Sequence, residues 1–230
     1  FSMFSKHSNI RLGAYYELPN LPFPYRSFWN SISSIESGSR PAGGIKDSDI
    51  GQAISLGGEQ IGVEGTLNLD KIPYVSMEYY ESVAKGKIQN GDILLCKDGA
   101  LTGKVCQVDS SLLPHDFVMA NEHIYVIRAN DSIEQKFLFY LMRTKLFQNQ
   151  VKDFAFHKKG QPGLNLDHIK AIKIPDIPID VQKSIIDGEV SQIEKLIFSL
   201  PDFLSKIHSA FGFPEKGCPF PCRSNPRQSL

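Results

Sequence analysis

Residues 91–108 constrain the chain more than any other stretch. Gly91-Asp92 leads into Ile93-Leu94-Leu95-Cys96-Lys97, and Lys104-Val105-Cys106-Gln107-Val108 returns after the loop Asp98-Gly99-Ala100-Leu101-Thr102-Gly103. Both runs favour extended chain, and Asp-Gly supplies the turn residues of a hairpin, although this loop is longer than the two-residue type. Further strands are expected at 53–56, at 123–128 and at 169–174, the last ended by Pro175 and Pro178. Residues 74–77 form a short apolar stretch, and 78–85 fit a short helix ending at Gly86.

Two longer helices follow the hairpin. Ser132-Ile133-Glu134-Gln135 has the capping-box pattern, and Phe137, Tyr140, Leu141, Phe147 and Val151 continue it as one core-facing stripe. A basic, glycine-containing loop, 156–165, comes next. The second helix is expected after Asp180 as N-cap. Its apolar positions Ile186, Val190, Ile193, Ile197 and Leu200 are spaced like a coiled-coil seam, over about two heptads, before Pro201 stops it. The chain thus divides into a lead-in (1–27), a main domain (28–179), a helix (180–200) and a proline-rich tail (201–230) expected to be poorly ordered. Pro19, Pro22 and Pro24 exclude a regular element across 18–25, because each fixes φ and lacks a donor.

Charge at first argues against a polyanionic partner: Lys+Arg 25 balance Asp+Glu 25 over 230 residues. The balance is uneven along the chain. Residues 136–173 carry Lys136, Arg143, Lys145, Lys152, Lys158, Lys159, Lys170 and Lys173 against Asp153 and Asp167 only. A polyanion senses such a local field even when the whole molecule is neutral, although a solvated helix face with an exposed loop would give the same counts.

Several chemistries have no carrier. A glycine-rich cofactor loop after a strand, an Asn/Asp-Pro-Pro-aromatic tetrapeptide and a Walker loop are missing. Cys218 and Cys222 have a zinc-like spacing without a partner pair, since Cys96 and Cys106 fall inside expected strands. The six histidines form no nucleophile or metal motif, so no catalysis, metal or cofactor is expected. Four cysteines fit a reducing cytoplasm, and no apolar run reaches the ~20 residues needed to span a bilayer.

One ordered set of motifs remains. It runs from Trp29 and Ser37-Gly38-Ser39-Arg40-Pro41 to Leu56-Gly57-Gly58-Glu59-Gln60-Ile61, then through the 91–105 hairpin and Asn121-Glu122-His123. Gly160-Gln161-Pro162-Gly163-Leu164-Asn165, Ile174-Pro175-Asp176-Ile177-Pro178 and Gln182 close it. Over roughly residues 28–198 the set resembles the target recognition domain of type I restriction-modification specificity (S) subunits. The resemblance implies an α+β fold, with a bent, partly barrel-like β-sheet, packed helices and a projecting spacer helix. It also implies a non-catalytic, cytoplasmic, sequence-specific binder of double-stranded DNA that reads one half of a split target. Its implied partners are DNA adenine methyltransferase subunits and, through them, a restriction subunit. The chain has one recognition domain and one short spacer where full S subunits have two of each. Two forms stay open: a half-subunit that pairs with itself, or a domain of a longer fused methyltransferase. A protein–protein adaptor using the heptad helix is the alternative from another class.

On the DNA reading, Lys136, Arg143, Lys145, Lys152, Lys158 and Lys159 are candidates for phosphate contact, which gives affinity without sequence information. Base discrimination needs donor and acceptor side chains on stiff loops, and the candidates are Arg40, Gln60, Lys97, Thr102, Lys104, His123, Gln161 and Asn165. Gln161 and Asn165 have a bracing or capping role as the competing account, and Arg40 beside Pro41 a structural salt bridge. Ile186, Val190, Ile193 and Ile197 are the candidate partner-helix positions.

Overall fold

The structure, a computed structural model, describes residues 16–44, 50–155 and 162–196, with side chains through residue 188. In chain order its elements are β1 (Tyr25–Ser27), β2 (Ile32–Ser37), β3 (Ala53–Leu56), β4 (Tyr74–Val75), α1 (Met77–Ser82), β5 (Ile93–Cys96) and β6 (Val105–Gln107). They continue with β7 (Val118–Ala120), β8 (Ile124–Ala129), α2 (Gln135–Arg143), α3 (Lys145–Ala155), α4 (Leu166–Ala171), β9 (Lys173–Pro175) and α5 (Ile179–Leu196).

The expected hairpin is β5–β6, and β8 pairs with the other edge of β5 to give the antiparallel order β2-β8-β5-β6. Side chains alternate across a strand, so this sheet feeds two cores. Ile93, Leu95, Tyr125 and Ile127 face a cluster with α2, α3 and α4. Leu94, Cys96, Ile124 and Val126 face a second cluster with Ile54 and Leu56 of β3. Burial on both faces explains why β5 reads as an unbroken apolar run rather than an alternating one. The architecture is therefore layered: helices, the four-stranded sheet, and a three-stranded sheet of order β4-β3-β7 in which β3 and β7 run parallel. The fold is α+β, as expected. Its strands fall into three sheets, and among the described residues none closes into a barrel.

Four local expectations are corrected. The Ser132 capping box does not form. Helix α2 starts at Gln135 behind Glu134, and the Ser132 hydroxyl donates to Asn130 Oδ1 (2.6 Å) instead. Gln135 reaches into the sheet, where its Oε1 accepts from Ala129 N–H and its Nε2 donates to Gly91 O. The single long helix is two, because Thr144 turns extended between α2 and α3. Its hydroxyl donates to Leu141 O (2.7 Å) and accepts from Phe147 N–H (3.4 Å), closing one helix and capping the next. Of the strand expected over 169–174, residues 169–171 close α4 and only 173–174, in β9, are extended. Asp180 lies inside the first turn of α5 rather than at its N-cap, where its charge still suits the helix dipole.

Both ends of the described chain are tied to the helical core. β1 pairs antiparallel with β9, and Tyr16, Leu21, Phe23 and Tyr25 pack on the cluster that holds the Phe28–Phe147 edge contact. Residues 16–27 of the lead-in thus lie against the domain, with regular structure beginning only after Pro24. At the other end Gln182 is fully buried. It accepts from Glu134 N–H (2.9 Å) and donates to Ile177 O (2.8 Å), which fixes the root of α5 beside the start of α2.

Candidate nucleic-acid interface

The C-terminal ends of β2, β3, β5 and β7 release their loops at one end of the two sheets. A cleft of about 670 Å³ opens there, with Arg40, Gly58, Asp98, Asn121 and His123 among the residues that line it. Three segments distant in sequence meet on its rim. Lys97 and Asp98 follow β5, Glu122 and His123 precede β8, and Arg40 follows β2. The β5–β8 ladder forces the first two together: its register continues past Cys96 and Ile124, where Lys97 N–H donates to His123 O (2.9 Å).

The side chains at this point form a continuous chain of charge. Lys97 Nζ donates to Asp98 Oδ2 (2.9 Å), and Asp98 Oδ1 contacts His123 Nδ1. His123 Nε2 lies 3.3 Å from Glu122 Oε1, which is also paired with Arg40, its Nε 2.8 Å away. An imidazole donates through both nitrogens only when both are protonated. Burial on its own raises the Asp98 carboxyl, but the hydrogen bonds and charges of Lys97 and His123 outweigh it and hold Asp98 below its ordinary value.

The loop that carries Arg40 is set by Gly38. A Cβ there would stand 1.7 Å from Ala120 O, and a Cβ on the neighbouring Gly86, at φ +79°, would stand 2.7 Å from Gly38 Cα. Only a residue without a side chain lets β2 leave across β7 at this height. The Tyr79 hydroxyl donates to Ser39 Oγ (2.8 Å), and Gly44 N–H closes a turn onto Pro41 O (3.0 Å), so the loop is fastened on both sides of Arg40.

The structure sorts the sequence candidates by what already occupies their polar atoms. Gln60 is buried, accepting from Gly57 N–H (2.9 Å) and donating to Lys71 O (3.0 Å). Thr102 closes its own turn by donating to Gly99 O (2.7 Å), and Lys104 Nζ donates to Ile61 O (3.1 Å). Lys97 is held by Asp98 and by the face of Tyr125. Asn165 caps α4 by accepting from His168 N–H (2.9 Å). Arg40 and His123 keep 65% and 43% of their side-chain surfaces exposed. Asp98 and Glu122 were missed as site residues, because nothing local marks a carboxylate whose partners lie on other strands.

The basic stretch is dispersed. Arg143 packs over Phe139 and donates to Val63 O (3.4 Å), and burial pushes its guanidinium below the ordinary value. Lys136 is half-buried on α2; Lys145 is half-buried and Lys152 exposed on α3. None of these four lines the cleft. Lys158, Lys159 and Gln161 lie outside the described residues, but the chain beyond them returns to the cleft. Gly99 N–H donates to Pro162 O (3.0 Å) and Leu164 N–H to Lys97 O (2.6 Å). On α5, Ile186 packs partly against the domain's own core with Val181 and Ile185. Val190 and Ile193 are on the same helix, their side chains outside the description, and Ile197 lies beyond it.

Comparison with known proteins places this arrangement. Residues 60–197, more than half of the chain, match the model of the type I restriction modification DNA specificity domain. The chain belongs to that family. A putative type I restriction enzyme MjaX specificity subunit of Methanocaldococcus jannaschii is 28% identical over 125 residues, which cover 53% of this chain and 29% of the relative. The fold is similar to that of the HsdS subunit of Thermoanaerobacter tengcongensis (TM-score 0.54, 18% identity, 85% of this chain and 46% of that one). It is also similar to a chain from a study of complex assembly and conformational transition of the type I R-M system (TM-score 0.57, 19% identity, 90% and 53%). The specificity-domain chain described here thus spans under a third of the curated relative and about half of each solved one. Among its described residues no helix is long and apolar enough to cross a membrane.

Proposed function

We propose that this chain is the DNA-recognition module of a type I restriction-modification system, reading one half of a split target and leaving the chemistry to methyltransferase subunits that it docks. The observation that carries the reading is the coincidence of the specificity-domain match with a cleft whose rim holds an exposed, buttressed Arg40 and a half-exposed His123. Residues 28–179, with 16–27 packed along them, would be the recognition unit. The helix over 180–200 would be the spacer that meets methyltransferase subunits, through Val190, Ile193 and Ile197 together with the outer side of Ile186. The cytoplasm is the compartment this role requires. Lys136, Lys145, Lys152, Lys158 and Lys159 would supply phosphate contacts.

The test is equilibrium binding of the chain to duplex DNA across a salt series. Binding should weaken with a log–log slope of about −0.9 per phosphate contacted. Absence of duplex binding at low salt, both alone and with a methyltransferase subunit, would remove the reading. Retention of a methyltransferase subunit by a variant that has lost DNA binding, such as Lys158→Ala with Lys159→Ala, separates docking from recognition. The opposite reading, an adaptor that docks a partner helix and ignores DNA, is what remains if only the partner is retained.

A further inference from the structure

We infer that Arg40 reads a guanine through the major groove, its guanidinium aimed by Glu122. This rests on the DNA-recognition reading above and adds the base and the residue that reads it. Guanine presents two acceptors, O6 and N7, side by side, and the arginine fork matches them with two parallel N–H donors. An unheld arginine on a surface loop samples many directions, which costs selectivity. Here Nε is fixed to Glu122 Oε1 at 2.8 Å, and among the described residues the two terminal nitrogens take no partner. That leaves the end of the fork presented as a unit, on a side chain 65% exposed at the rim of the cleft.

The buttress is itself held. Glu122 Oε1 also faces His123 Nε2, His123 meets Asp98, and Asp98 is tied to Lys97. His123 N–H donates to Asn121 Oδ1 (2.9 Å), so the backbone beneath the relay is braced too. On the arginine side, Gly38 lies hard against Ala120 O and Ser39 accepts from Tyr79. A pair between an exposed arginine and a carboxylate contributes little to stability, which makes so much support for one surface side chain unexplained by folding alone.

Charge decides between a base and a phosphate as the ligand. Without His123 the relay is neutral, two cations against the carboxylates of Asp98 and Glu122, and the Glu122 carboxylate stands directly against Arg40. Glu122 offsets the Arg40 charge and so weakens its pull on a phosphate, while the free N–H donors still match a neutral base edge that offers acceptors. An arginine whose charge is already paired suits guanine better than a backbone phosphate.

The experiment is selection of a randomised duplex pool by the full chain, sequenced for wild type, Arg40→Ala and Glu122→Ala. Arg40→Ala should erase preference for one G·C pair by roughly 10- to 100-fold and leave the other selected positions intact. Glu122→Ala should weaken preference at that same position, less severely, with an unchanged melting temperature. If wild type selects a motif and Arg40→Ala leaves every position unaltered, the guanine assignment is wrong while DNA recognition stands. A uniform loss of affinity across all sequences, with a shallower salt slope, makes Arg40 a phosphate contact and overturns the assignment. If wild type selects nothing, both alone and with a methyltransferase subunit, the DNA reading falls and the guanine assignment with it.

Discussion

The β5–β8 pair carries an aspartate and a cation at each of its two ends, and the two ends do different things. At one end Asp92, just before β5, takes both oxygens' worth of donors from Arg128 of β8: Nε at 2.8 Å and Nη2 at 2.7 Å. The Asp92 side chain is 4% exposed, and Arg128 Nη2 also donates to Lys87 O (3.0 Å), so Nε and Nη2 are both committed within the fold. At the other end Asp98 passes its contact through His123 and Glu122 to Arg40, and the final guanidinium opens to solvent. The same ladder and the same residue types give a closed pair or an outward-facing relay. The difference lies in whether the arginine belongs to the paired strand or is brought in on a loop from elsewhere.

That contrast is open to direct attack. Arg128→Ala should be the most damaging change, since it strands a buried carboxylate; a loss of about 3–5 kcal/mol in denaturant unfolding is expected. A midpoint within error of wild type would mean that the closed end is not structural. Gly38→Ala should cost about 2–4 kcal/mol, because the new Cβ would stand 1.7 Å from the Ala120 carbonyl oxygen, which is backbone and cannot swing aside. It should also shift the selected DNA motif, as Arg40 is carried on the displaced loop. An unaltered motif from a destabilised protein would uncouple the loop from recognition.

Arg40→Ala, at the open end, should move stability by no more than about 0.5 kcal/mol. A large drop in melting temperature would show that the relay is a structural pair after all and erase the distinction between the ends.

The smallest effect concerns acid. The folded Asp98 carboxyl is held below its ordinary value, so its contribution is complete above the unfolded-state value and disappears as pH falls through the folded one. The gap in melting temperature between wild type and Asp98→Asn should therefore be widest near neutrality and close as pH falls below the ordinary aspartate range. A gap that is constant with pH would remove the Asp98 charge from the account.

Much of the fold could be read along the chain, and the errors have a common cause. The hairpin and the strands around 53–56 and 123–128 were legible because a fully buried strand announces itself in four or five consecutive residues. The helix over 135–155 was legible as apolar periodicity but not as two helices. Thr144 breaks it through hydroxyl bonds to Leu141 and Phe147, and a threonine inside a helical pattern gives no warning of that. Ser132 and Gln135 had the right spacing for a cap, yet Gln135 found stronger use bridging to Gly91 and Ala129 across the sheet. Asn165 was readable in both roles, and in the structure it caps α4.

The sequence by itself determined the local elements, the uneven charge and, through the order of its motifs, the family, because each of these is written in neighbouring residues or in their succession. Only the tertiary structure decided which polar side chains face outward. Gln60, Thr102 and Lys104 look as suited to a base as Arg40 does, until their partners at Lys71, Gly99 and Ile61 are in place. Arg40 gains its direction from Glu122, which lies beside it only because β2 and β5 both pair with β8. A side chain's hydrogen-bonding capacity is a property of its type; whether that capacity is already filled is a property of the fold.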